Sequence, residues 1–387
     1  MGLWSDIPSG SVLQSYGNRC PITIPAITSG NNLLPAGVAW DGSSNFPFPL
    51  NLANGPAALN TCLASGHDFV LTPSWVSGDD PYPSRLYFER DAFTGGGGSA
   101  VGGWLWGNTA ALLSGSAATT LYLWWNNPSA SDGSNPASTW DSNTAAVYHL
   151  GASGALSLVD STANANTLSN TGSPPVTAVA GVVGGAASFS GSVLSASGSG
   201  SLDITGSAIT LEAWVYPLGG GYKAFLAKSA NWSDRQYGLF LSGAGTNALY
   251  LSLSGVTPPG PAGGDEYLSA SWVVDAWNYI ALVYVSGVGV VVYLNGVARF
   301  LAGWTGSITH VDSNLTLGGD VSGGYLLSGY EDEVRLSNNG RSAAWVGLVY
   351  NSITNQSSAW WGAAQSKSPS SSGFVPIARQ PLLMLGV

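Results

Sequence analysis

Glu331-Asp332-Glu333 is the tightest acidic cluster in the chain. Alternate residues of a strand share a face, so the spacing puts Glu331 and Glu333 on the same side. Two carboxylates on one cleft are what glycoside hydrolysis needs, one as nucleophile or base and one as acid. The alternation does not continue, because position 335 is Arg335. The simpler assignment is structural: Asp332-Glu333 caps a sheet edge and pairs with Arg335 or Arg341. Asp79-Asp80, Asp234-Arg235 and Asp265-Glu266 read as solvated loop charges. His67, His149 and His310 have no Cys or His partner at metal spacing, and His149 reads as a satisfied core residue. There is no Gly-x-Ser-x-Gly elbow, and Gly95 to Gly98 lacks the Lys-Ser/Thr of a phosphate loop. No catalytic residue is assigned, and the chain is expected not to be an enzyme.

The aromatic residues offer a second chemistry. A sugar is held by an aromatic ring on the apolar face of the pyranose, with amides and hydroxyls around it. Tyr222, Trp232, Trp304 and Tyr325 fall in expected loops or strand ends with Asn and Asp nearby, and are the candidate ligand-binding residues. The competing assignment is that these rings cover a sandwich edge or a subunit contact, where aromatics are also enriched.

The segments that must position these residues alternate apolar and polar side chains and are rich in β-branched and aromatic types, which predicts half-buried strands. They include Ile209 to Pro217, Trp277 to Tyr284 and Gly329 to Ser337. Val288 to Leu294, then Asn295-Gly296, then Val297 to Phe300, predicts a hairpin, since Asn-Gly suits a two-residue turn with positive φ at both positions. In the first third, strands are expected at Arg19 to Ile24, His67 to Thr72, Arg85 to Arg90, Val101 to Trp106 and Thr120 to Trp125. Phe46-Pro47-Phe48-Pro49-Leu50 is extended but cannot be a central strand. Ser342 to Tyr350 reads as a short helix or strand.

The Gly-Gly-Ala-x-Ser-Phe-x-Gly entry at Gly184, the Glu-Ala-Trp-Val strand at Glu212, the Leu-Asn-Gly turn at Leu294 and the Asp-Glu-Val-Arg strand at Asp332 resemble, in this order, a laminin-G-like, concanavalin A-type jelly roll over roughly residues 145 to 350. The Asp-Phe-Val-Leu-Thr strand at Asp68, Tyr122 to Pro128 and Trp140-Asp141-Ser142-Asn143 resemble a small β-sandwich domain of unknown function that precedes such jelly rolls in bacterial and viral proteins. The expected fold is therefore all-β, with two β-sandwich domains. Residues 1–15 read as an arm, 16–142 as the first domain with its linker, 143–350 as the jelly roll, and 351–387 as a linker with an apolar docking tail. The resemblance also implies calcium, held by carboxylate and carbonyl oxygens. Asp160, Asn164, Asn166 and Asp332 have the required types, and the alternative is that the Asp160 loop forms Asx-turns with its own backbone.

Composition bounds the rest. Charged residues are 8% of the chain and hydrophobic residues 45%, with 16 Trp, 16 Tyr and 53 Gly. Sheet faces polarised by hydroxyls and amides fit those values. Nucleic-acid binding requires a basic stripe, and 11 Lys and Arg in a chain of net charge −10 do not make one. Cys20 and Cys62 exclude a disulfide framework and leave one bridge or two buried thiols. The opening residues lack a secretory pattern, and no apolar run is long enough to span a bilayer. With the resemblance, these features lead to the expectation of a structural or adhesive virion protein, a bacteriophage tail-fibre, tail-tip or head-decoration component assembled in the host cytoplasm. Its expected partners are other copies of itself, other virion proteins and host-surface glycans. A bacterial cell-surface lectin-like adhesin is the alternative, and a concanavalin-fold glycosidase the third reading.

Overall fold

Strands with one apolar face must bury that face against another layer, and two pairs of sheets do so here. The computed structural model describes residues 4–43, 45–109, 111–152, 154–231, 233–242, 248–257, 265–268, 271–320 and 325–367. Trp232, Leu3 and the apolar tail at 374–387 lie outside the described residues.

The jelly roll packs an eight-stranded antiparallel sheet on a six-stranded one. The large sheet runs Thr177–Ala180, Gly185–Ser190, Ser328–Ser337, Ala208–Pro217, Asn278–Val285, Gly289–Leu294, Val297–Ala302. Thr144–Tyr148 pairs with the second half of Ser328–Ser337. The small sheet runs Leu194–Ala196, Leu315–Leu317, Lys223–Asn231, Asp234–Ser242, Ala248–Leu253, Asp265–Leu268. Ile209, Leu211, Ala213 and Val215 alternate into the core between them, against Leu239, Leu251 and Leu317. The Asn-Gly turn forms as expected, with φ 52° at Asn295 and 75° at Gly296.

The first sandwich stacks a four-stranded sheet (Gln365–Ser366, Asn18–Ile24, Thr119–Trp125, Val70–Pro73) on a three-stranded one (Pro47–Asn51, Ser99–Asn108, Phe88–Gly96). Pro47–Asn51 occupies a sheet edge, where a strand with two prolines belongs. Cys20 and Cys62 are both buried and free, and burial raises each thiol to about 12.

Two features differ from the sequence reading, and between them the structure settles a segment that the sequence left as helix or strand. The opening arm is part of the first sandwich: Trp4 packs edge-on against Trp124 at 5.2 Å, and the Arg19 guanidinium lies 4.9 Å from both the Trp4 and Trp75 rings. Residues 343–354 form a helix (Ala343–Thr354), N-capped by Ser342, whose hydroxyl accepts from the Trp345 amide. After it, Gln365–Ser366 pairs with Asn18–Arg19, so the chain past 350 returns to the first sandwich.

The two sandwiches are not separated by a solvated linker. Alternate residues of the large sheet, Trp214, Tyr279, Ala281, Val283 and Tyr293, point away from the jelly-roll core. They share one apolar cluster with Phe48, Trp106 and Leu123 of the first sandwich and with Trp345, Val346 and Val349 of the helix.

Candidate functional site

Three connections meet at one end of the jelly roll. The Leu218 amide donates to the Ser328 carbonyl at 2.8 Å, Ala224 to Tyr325 at 2.7 Å and Asp275 to Pro217 at 2.9 Å. The strands entering these connections carry aromatic rings on the large sheet's outer face. Tyr216 and Tyr330 are direct cross-strand partners with centroids 5.3 Å apart. Trp277 completes a triangle at 5.6 Å from Tyr216 and 6.3 Å from Tyr330. All three are half-buried. At the same end Tyr222 and Tyr325 meet edge-on at 6.1 Å. Tyr325 is 37% exposed and has φ 52°, a left-handed conformation that non-glycine residues adopt only where their surroundings hold them there. Exposed Leu218, Val273 and Asp275 border the cluster.

The structure thus brings together two of the four aromatic candidates, Tyr222 and Tyr325. Trp304 is fully buried in the core between the sheets, so its ring has no face to offer a ligand. Tyr216, Trp277 and Tyr330 were missed. The alternation identified their strands, but the register that sets Tyr216 opposite Tyr330 is a pairing across more than a hundred residues, and no local signal carries it. The first sandwich has its own cleft of about 530 Å³, lined by Tyr82, Arg85, Tyr87, Asp132 and Asn135 among others, with Arg85 lying 4.6 Å over the Tyr82 ring.

Glu331 and Glu333 do not share a face. Between the pairs Glu212–Arg335 and Trp214–Asp332 the acidic strand carries one residue more than its partner, a bulge with φ 51° at Glu333. Glu331 therefore points across the jelly roll, where the Gly318 amide donates to its Oε1 at 3.0 Å. Glu333 points outward to Arg335 at 2.5 Å and to His149. Arg341 pairs instead with Asp141, and the acidic strand is interior to its sheet rather than at an edge.

The residues considered for calcium fall into two groups with no shared hydrogen-bond partner. Asp160 accepts from the amides of Val147, Thr162 and Asn166, from the Thr162 hydroxyl and from the Asn166 side chain, all at 2.9–3.1 Å. The Asn164 and Asn166 side chains donate to the Ala145 carbonyl. This is an Asx-organised loop, its carboxylate already saturated. Asp332 lies elsewhere, its Oδ2 accepting from the Val182 and Val183 amides at 2.7 and 2.9 Å.

His149 occupies the seam between the two sandwiches. Its Nδ1 is 2.5 Å from Glu333 Oε1 and 3.7 Å from Asp91 Oδ2, and its Nε2 is 3.3 Å from Glu89 Oε2. The Trp106 and Trp140 rings flank the imidazole at 5.6 and 5.8 Å. Burial opposes the imidazolium, but Glu333, Asp91 and Glu89 hold His149 well above the ordinary histidine range. Burial raises Asp91 to about 7, against the lowering effect of His149. Glu89 and Asp91 alternate on Phe88–Gly96, so their common face followed from strand periodicity, whereas their meeting with residues 149 and 333 did not.

Residues 190–347 match the family described as the concanavalin A-like lectin/glucanases superfamily, and this segment is a concanavalin A-like jelly roll. No curated protein matches the chain. Among solved structures, it is similar to domain 4 of AbnA, an extracellular arabinanase from Geobacillus stearothermophilus in complex with arabinotriose. The identity is 19% and the TM-score 0.40, over 53% of this chain and 97% of that one. It is also similar to the binding domain of Paraclostridial Mosquitocidal Protein 1, with 15% identity and TM-score 0.42 over 55% of this chain and 53% of that one. For the botulinum neurotoxin serotype G binding domain the values are 12% and 0.37, over 54% and 50%. The chain spans about half the length of the two toxin domains.

Proposed function

We propose that this chain is a non-enzymatic adhesive protein whose jelly roll contacts glycans through the aromatic end built by Tyr216, Tyr222, Trp277, Tyr325 and Tyr330. The supporting observation is the convergence of five incompletely buried rings on one end of a lectin-type sandwich, bordered by exposed Asp275. Large rings that remain open to solvent after folding are available to stack on a sugar. The matched family includes both lectins and glucanases. The lectin side is favoured because hydrolysis needs two carboxylates facing one cleft, and the acidic strand buries Glu331 and Glu333 on opposite faces.

Glycan-array binding of the full chain tests this reading. Trp277→Ala and Tyr325→Ala are expected to weaken binding about tenfold each, the equivalent of an aromatic contact of about 1.4 kcal/mol. Tyr87→Ala, in the first sandwich's cleft, serves as the control and should bind like wild type. No binding to any glycan, or binding untouched by both jelly-roll variants, sinks the assignment. Reducing-end release from a glycan panel, abolished by Glu331→Gln, would show an enzyme instead. The setting we assign is the surface of a virus particle, on the low charge and hydroxyl-rich sandwich faces that suit assembly of many copies. Mass spectrometry of purified particles decides between that and a cell surface.

A further inference from the structure

We infer that Asp91, His149 and Glu333 form a site for a divalent transition-metal ion of the zinc class, held between the two sandwiches. The three residues come from three distant segments, Phe88–Gly96, the turn after Thr144–Tyr148 and the bulge in Ser328–Ser337. Each offers a donor atom, and these atoms all lie within 4.8 Å of one another. All three are more than nine-tenths buried.

The seam carries polar atoms that the protein itself does not satisfy. Asp91 Oδ2, 3.7 Å from His149 Nδ1, has no hydrogen-bond partner among the described residues. Asp332 Oδ1, on the strand that carries Glu333, is also unpartnered among the described residues. Buried polar groups are nearly always paired, so a cluster of orphans in one place points to a missing ligand. Three carboxylates converge on the one imidazole, Glu333, Glu89 and Asp91 at 2.5, 3.3 and 3.7 Å, between the Trp106 and Trp140 rings.

The surroundings are those of a supported metal ligand. With Nδ1 directed at Asp91 and Glu333, the other ring nitrogen faces Glu89 at 3.3 Å. Glu89 is fixed in turn by the Ser161 hydroxyl at 2.6 Å and the Trp140 indole N–H at 2.8 Å. A carboxylate behind a ligating imidazole sets its orientation and raises its basicity. One imidazole with two carboxylates suits zinc, which takes His nitrogen and carboxylate oxygen, whereas calcium prefers six to eight oxygens. Coordination requires the His149–Glu333 contact to open from 2.5 Å to about 3.3 Å, the separation of two ligands each ~2.0 Å from a tetrahedral ion. The imidazole proton leaves to solvent as the metal binds.

The test uses the full chain, refolded or expressed with zinc, manganese or calcium, desalted, and assayed for bound metal and melting temperature. About one zinc or manganese per chain should remain after desalting, the melting midpoint should fall on chelation, and Asp91→Asn and Glu333→Gln should each lose the metal. Asp91→Asn preserves shape, and its circular dichroism verifies the fold. Glu89→Gln, which leaves all three ligands, should retain metal at ten- to a hundredfold weaker affinity. Retention of no transition metal by the wild type overturns the inference. So does retention of calcium alone, or metal held equally by wild type and the folded Asp91→Asn chain.

Discussion

The Arg341 guanidinium is gripped on both sides of the junction between the sandwiches. It donates to both oxygens of Asp141 at 2.7 Å, to the Thr144 hydroxyl at 2.9 Å and to Ser337 at 3.1 Å, and lies 4.0 Å over the Trp345 ring. Burial alone would raise the Asp141 carboxyl, but the Arg341 hydrogen bonds and charge outweigh it and hold Asp141 below the usual carboxylate range. Its contribution to stability is therefore present in full above the unfolded-state value, about 4, and is lost as pH falls through the lower folded-state value. Asp141→Asn should cost about 3 kcal/mol near neutral pH, since it leaves a buried guanidinium short of its partner. Urea titrations should show the gap between wild type and variant closing as pH drops below about 4; a gap independent of pH refutes the ion-pair account. At this scale the sequence was only partly legible. Tyr222 and Tyr325 were legible as loop residues because loops announce themselves by composition. Trp304 was misplaced because a short loop-like segment hides a core position. The Asp141–Arg341 pair could not be seen, since its partners are two hundred residues apart and only the fold joins them.

Among elements, the hairpin is the case where local chemistry and structure agree most fully. Asn295 and Gly296 take the positive φ values the turn demands, and Asn295 is also bound at both ends, its amide donating to the Tyr279 carbonyl at 2.8 Å and its side chain accepting from the Tyr279 amide at 2.9 Å. The turn in turn abuts the helix: a Cβ on Gly296 would stand 3.0 Å from Tyr350 Cβ. Gly296→Ala should therefore destabilise by about 1–2 kcal/mol from the left-handed conformation alone, with helix displacement added, and a chemical denaturation midpoint unchanged from wild type would refute this. The strands were legible for the same reason, because a period of two and turn residues are local properties. The bulge at Glu333 was not, since an extra residue in a strand appears only against its partner. That single misjudged residue put Glu331 and Glu333 on one face. The helix was left open between two states because Ser342 to Tyr350 is apolar on most sides. Burial on several sides removes the polar face by which an amphipathic helix is recognised.

On the scale of the whole molecule, the two sandwiches should not behave as independent domains. Domain contacts within a chain are ordinarily polar and of modest size. Here the outer face of the large sheet contributes Trp214, Tyr279, Ala281, Val283 and Tyr293 to the cluster that also holds the first sandwich's Phe48, Trp106 and Leu123. The chain crosses the seam repeatedly: it leaves the first sandwich at Trp140, returns along the helix, and ends its described part as a strand paired with Asn18–Arg19. Trp214 stacks on Tyr350 of that helix at 5.4 Å, and Trp345 of the same helix meets Phe46 at 4.8 Å, so the helix bonds to both bodies at once. Removing the first sandwich would expose this apolar face, and with it the buried charges of Glu333 and Arg335, to water. Residues 143–387 alone are therefore expected to aggregate or to bind a hydrophobic dye, although their jelly roll matches a family model by itself. The full chain should melt in one calorimetric transition whose calorimetric and van't Hoff enthalpies agree. Two resolved transitions, or a monomeric and dye-silent fragment, would mean that the seam is a docking contact between separate domains rather than a shared core.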